Sequence, residues 1–123
     1  MRKEYTEFIC ATHGYLIRTK ELHWNTESNA IHKLCDELHS DLEELEDEFA
    51  ECCMGYDGKK FRIGDLLPLL PNATELLPML KEFEDDIKKI REKADGWKEH
   101  GVVNILDDMA TMVNKYKYRS TQL

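Results

Sequence analysis

Two histidines and three acids stand at spacings that suit a metal ion: His23, His32, Asp36, Asp47 and Glu51. Imidazoles and carboxylates together favour iron, with zinc or manganese as competitors. Whether the five can meet is a question of helix geometry. From His32 onward the pattern reads as one charged helical run, in which each residue advances about 100°. With His32 at zero, Asp36 falls at about 40°, Asp47 at about 60° and Glu51 at about 100°. The apolar stripe of the same helix centres near about 255°, so the polar set faces away from any bundle core. A metal centre inside the bundle uses inward Glu and Glu-x-x-His motifs, and this chain contains no Glu-x-x-His.

Distance divides the set. Asp36 and Asp47 lie eleven residues apart, or about 16 Å of helix. One chain therefore cannot bring His32 and Asp36 to the same ion as Asp47 and Glu51. Two copies of the helix, packed antiparallel about a two-fold axis near residues 41–42, bring the first pair of one copy to the second pair of the other, twice over. His23, on the preceding helix, completes each cluster, and Ser40 and Glu43 stand close to the axis as supporting groups. Taken alone, Asp47 and Glu51 would be an ordinary solvated pair. The histidines at the matching end give them a partner. His39 and His100 read as surface residues, and the role of His13 stays open.

The elements that must position these residues follow from periodicity. Helix A is expected over residues 3–25, with Tyr5, Phe8, Ile9, Leu16 and Leu22 inward. Capping residues gather at Asn25-Thr26-Glu27-Ser28-Asn29, and helix B follows to about Cys53 with Ile31, Cys35, Leu38, Leu42, Leu45, Phe49 and Cys52 as its stripe. Gly55 and GYDGKK should end it. A long connection spans residues 55–74, where FRIGDLLPLL is expected to pack as a short helix. Helix C starts after Thr74 as N-cap, tolerates Pro78 in its first turn, turns Phe83, Ile87 and Ile90 inward and stops at Gly96. Helix D runs from about Val102 to Tyr118, with Val102, Ile105, Leu106, Met109, Met112, Val113 and Tyr116 on one side. Four amphipathic helices with short A–B and C–D links and a long B–C link describe an all-α, ferritin-like four-helix bundle with one crossover connection.

Composition agrees with one such domain over residues 1–123. Apolar residues make up 41% and charged residues 34% of the 123, with six Gly and three Pro, which suits long helices with one buried stripe each. The net charge of −8 opposes direct DNA binding, which depends on phosphate neutralisation. No signal peptide or membrane span is visible. The four cysteines lack metal-clamp spacing and read as reduced thiols of a cytoplasmic protein.

The pattern H-W-N followed by H-x3-D-x10-D-x3-E, here His23-Trp24-Asn25 then His32, Asp36, Asp47 and Glu51, resembles the Dps-like miniferritins (DNA-binding proteins from starved cells). The helix layout agrees over nearly the whole chain, although residues 20–53 carry most of the likeness. The resemblance implies two-fold dimers assembled into a hollow dodecamer. Its iron centres would lie at the dimer interfaces, with His23, His32 and Asp36 of one subunit meeting Asp47 and Glu51 of the next. Iron(II) would be bound there, oxidised by hydrogen peroxide or oxygen, and stored as ferric mineral, with Trp24 beside the centre. Asp107 and Asp108 are the nearest candidates for an acid-lined entry pore. The segment TESNA makes the A–B turn about three residues shorter than is usual in that family, and no Lys-rich N-terminal extension is present. The alternative is a structural or interaction protein that keeps the assembly, zinc-bound or metal-free and redox-silent.

Overall fold

The computed structural model describes residues 1–123, the side chain of Ile63 excepted. Four α-helices carry the fold: α1 (Lys3–Asn25), α2 (Asn29–Asp57), α3 (Leu76–Gly96) and α4 (His100–Ser120). A single 3-10 turn, Ile63–Asp65, lies between α2 and α3, and there is no strand among the described residues. Each helix packs on two others, α1 on α2 and α3, and α4 on α2 and α3. No described helix is long and apolar enough to cross a membrane.

Local chemistry sets the boundaries. Ser28 caps α2, its hydroxyl accepting from the Ile31 N–H at 3.2 Å, which satisfies one donor that a helix start leaves orphaned. The α1–α2 turn is only Thr26–Ser28, held by the Ser28 N–H donating to Thr26 Oγ1 at 3.1 Å. At the other end, α2 runs through Gly55 and stops at Gly58, not near Cys53 as the glycine signal suggested. Gly58 takes φ 68° and donates its N–H to Met54 O at 2.7 Å. A glycine inside a helix costs about 1 kcal/mol and does not end it; a left-handed residue does.

Three further boundaries depart from expectation. Glu75, with no side-chain cap bond, precedes α3 in place of Thr74, although Pro78 does fall in the first turn. Helix α4 begins at His100, two residues early, because the Glu99 carbonyl accepts from both Val102 and Val103 at 3.1 Å. The expected helix over FRIGDLLPLL is reduced to Ile63–Asp65. Prolines at 68 and 71 interrupt helical hydrogen bonding, and the chain bonds to α1 instead. Asp65 O accepts from Cys10 Sγ at 3.2 Å, the Leu69 N–H donates to Cys10 O at 2.9 Å, and Pro71 O accepts from Arg18 at 3.3 Å. The connection thus passes over α1 directly above Gly14, where an added Cβ would stand 1.7 Å from Leu69 O.

The core joins Tyr5, Phe8 and Tyr15 of α1, Leu38, Leu42 and Phe49 of α2, Phe83 and Ile87 of α3, and Leu106, Met109 and Val113 of α4. Tyr15 and Phe83 stack with centroids 4.4 Å apart, and Phe8 and Phe49 pack at 5.0 Å. The three buried tyrosine hydroxyls donate outward to carboxylates: Tyr5 to Glu99 at 2.7 Å, Tyr15 to Asp86 at 2.5 Å and Tyr116 to Asp41 at 2.5 Å. In α2 the buried stripe is Leu34, Cys35, Leu38, Leu42, Glu46, Phe49 and Cys53. Ile31, Leu45 and Cys52, expected inward, are half-buried, as are Leu22 of α1 and Ile105 of α4. All four cysteines are free, and burial pushes the Cys35 thiol up to about 11.

Candidate metal centre

His23 lies in the last turn of α1 and His32 in the first turn of α2. The three-residue turn folds them onto each other, rings stacked with centroids 3.8 Å apart and 21° between planes. Their hydrogen bonds are reciprocal. His23 Nδ1 lies 2.8 Å from His32 O, and His32 Nδ1 lies 2.7 Å from His23 O. A carbonyl oxygen only accepts, so each ring donates from Nδ1, and the neutral form of either ring then has its lone pair on Nε2. A backbone carbonyl on the far nitrogen is how metal-binding histidines are commonly oriented. The bond to His23 O also fills a carbonyl that the end of α1 leaves without a helical donor.

Asp36 follows one turn along α2 and is exposed, as are His32, Asp47 and Glu51, while His23 is half-buried. Two other acids of α2 are engaged by α4: Glu37 pairs with Arg119 at 2.6 Å and Asp41 accepts from Tyr116. No Lys or Arg pairs with Asp36, Asp47 or Glu51 among the described residues. Glu37 and Asp41 thus reach residues of α4, whereas Asp36, Asp47 and Glu51 are exposed without such a partner. Within one chain the described residues gather no three His, Cys, Asp or Glu side chains into a metal-holding group. The structure therefore brings His23 and His32 together and leaves Asp47 and Glu51 further along the helix. Trp24 is 72% exposed on the same end.

The seam between α1 and α2 holds groups that the sequence reading passed over. His39 is half-buried rather than a surface residue, with Nδ1 3.6 Å from Glu43 Oε2. Burial, then nearby Lys20, lowers its pKa. Glu46 is 8% exposed, and Glu46 Oε2 stands 3.1 Å from His13 Nδ1. Burial first, then the charges of Asp47 and Glu43, pushes its carboxyl up to about 7. A signal for it was present: Glu46 falls four residues after Leu42 and three before Phe49, a core seat occupied by an acid. Ser40 is exposed, and Asp107 is tied to Arg91 at 2.6 Å.

A model of a family of unknown function (DUF5856) matches residues 23–119, a span that includes all five candidate ligands. The "Uncharacterized 14.6 kDa protein in mobD-ri intergenic region" of Enterobacteria phage T4 is 28% identical over 119 residues, which cover 94% of this chain and 84% of that protein. No solved structure matches the chain.

Proposed function

The chain belongs to DUF5856, a family of unknown function, and we propose that within it this protein is a Dps-like miniferritin, a ferroxidase and iron store working at sites shared between subunits. The observation that carries the reading is the reciprocal pairing of His23 and His32, which engages both Nδ1 atoms and leaves both Nε2 atoms free one turn from Asp36. The three-residue turn, short for that family, is compatible with the pair because these bonds lock it.

In this reading the molecule is a ferritin-like bundle whose crossover is an extended strap. Iron(II) is the substrate. His23 and His32 of one chain bind it from one side, Asp36 turning its carboxylate in as the ion enters, and Asp47 and Glu51 of a second copy, antiparallel about an axis near residues 41–42, bind it from the other. Imidazole holds the ferrous ion, and the carboxylates favour the ferric product. Each peroxide takes one electron from each of two iron(II) ions, giving two iron(III) ions and two hydroxides. The unpaired charge on the outer face of α2 supports the same arrangement. Two such faces repel when bare, and bound cations offset that repulsion. Assembly continues to a closed shell, a dodecamer, that holds the mineral.

Peroxide-driven iron(II) oxidation followed by size exclusion tests the reading. The expected result is fast oxidation with iron co-eluting in a large particle, and loss of the fast phase in Asp47→Ala/Glu51→Ala. Mixing that variant with His32→Ala/Asp36→Ala should restore activity through mixed dimers. Unchanged kinetics in the first variant removes the site. A large particle that binds zinc and neither oxidises nor retains iron establishes the alternative, an assembly protein without redox chemistry.

A further inference from the structure

We propose that the groove between α1 and α3 is a binding site for a small organic amine, an apolar body carrying one ammonium group. The groove encloses about 350 Å³, within the range of small-molecule sites, about 300–1,000 Å³. Its floor is apolar, made by Phe8 and Ala11 of α1 and Ile90 of α3. Leu69, Leu70 and Pro71 of the strap close one end. Glu82 fastens that end, accepting from the Asn72 N–H at 3.0 Å and the Ala73 N–H at 2.9 Å. Leu70 stays 60% exposed, so the chain leaves apolar surface uncovered at the mouth of the groove.

Charge selects the occupant. Four carboxylates, those of Glu4, Glu7, Glu82 and Asp86, line the groove against two ammonium groups, those of Lys89 and Lys93. Both lysines are exposed, and among the described residues neither comes within ion-pair distance of an acid. Glu4 and Asp86 are half-buried, and no Lys or Arg pairs with them either. Asp86 Oδ2 accepts from the Tyr15 hydroxyl at 2.5 Å, and burial raises the Asp86 carboxyl above its ordinary value. Such a carboxylate is short of positive charge, and an ammonium beside it adds a charge-assisted hydrogen bond. The apolar floor then takes the body of the same molecule. A bare metal ion fits less well, because no three of these acids gather into a metal-holding group. An anion would face the carboxylates. No residue of α2 lines the groove, so the inference does not rest on the ferroxidase reading.

Amide-resolved NMR titration of the natural chain decides it, with tryptamine and with tryptophol, which carries a hydroxyl in place of the ammonium. The expected result is saturable shifts at Ala11, Leu70 and Ile90. Tryptamine should bind about tenfold more tightly than tryptophol, the worth of one charge-assisted bond. Asp86→Asn, whose amide oxygen still accepts from Tyr15, should bring the two probes to equal affinity. Because the probes are compared on the natural chain, the test stands even where Asp86→Asn does not fold. Equal affinity of the two probes for the natural chain overturns the site. Tryptamine shifts confined to other residues, or no saturable shift up to about 10 mM tryptamine, overturn it as well. So does a preference for tryptamine that a folded Asp86→Asn protein retains. Each of these outcomes would leave iron oxidation by the natural chain untouched.

Discussion

Glu46 makes the stability of the bundle depend on pH in a way that one substitution isolates. The folded chain holds the Glu46 proton up to about pH 7, whereas the ordinary carboxyl value is 4.5. Between those values the folded state binds more protons than the unfolded one. The contribution of Glu46 is therefore fully present below the lower value and is lost as pH rises through the upper. At 1.36 kcal/mol per unit, the whole window is worth about 3 kcal/mol. Glu46→Gln keeps the shape and removes the titration. Chemical denaturation of both proteins, in chelator at pH 5 and pH 8, should show the variant gaining about 2 kcal/mol relative to the natural chain over that range. In thermal melts the same gain is a relative rise of roughly 10 °C. Repeating the comparison with His13→Gln in both proteins separates any charge on the imidazole. A stability difference between the natural chain and the Glu46→Gln variant that stays flat from pH 5 to pH 8 would refute the reasoning, because it would mean that the carboxyl titrates at its ordinary value.

Two glycines should respond in opposite directions. Gly14→Ala drives a Cβ to 1.7 Å from Leu69 O and 2.5 Å from its carbonyl carbon, both backbone atoms, so the strap must lift from α1; a loss of about 2–4 kcal/mol is expected by denaturation, and a neutral result would mean the strap does not lie there. Gly55→Ala meets nothing within 4 Å and lies inside α2, so it should stabilise by about 0.5–1 kcal/mol, and destabilisation would show that α2 ends before it.

The helices were legible because period and punctuation agreed over most of the chain. The stripe Phe83, Ile87, Ile90 and the set from Val102 to Tyr116 are buried as their spacing predicts, Ile105 partly excepted. Legibility failed where a single residue was read without its backbone angle. Gly55 and Gly58 look alike in sequence, but only Gly58 adopts the left-handed conformation that stops a helix. The strap failed for a different reason. FRIGDLLPLL has apolar residues enough for a helix, yet Pro68 within it, Pro71 just after it and the offer of Cys10 O and Arg18 as partners make extended backbone cheaper. The prolines are visible in the sequence, but the partners on α1 are tertiary and leave no trace in local pattern.

The site divides along the same line. Sequence spacing puts His32, Asp36, Asp47 and Glu51 on one face of α2 because a helix is a fixed ruler, and their exposure and lack of basic partners follow from that face pointing away from the other helices. The mutual bonding of His23 and His32 could not be read from spacing, since it depends on a turn of only three residues folding one helix end onto the next start. That connection makes two separate histidines into one oriented pair. A single ring with a free Nδ1 could rotate and present either nitrogen; two rings that each occupy the other's carbonyl present only Nε2. In the proposed ferroxidase the shorter turn would favour metal binding rather than oppose it, by replacing loop length with two hydrogen bonds that orient both imidazoles.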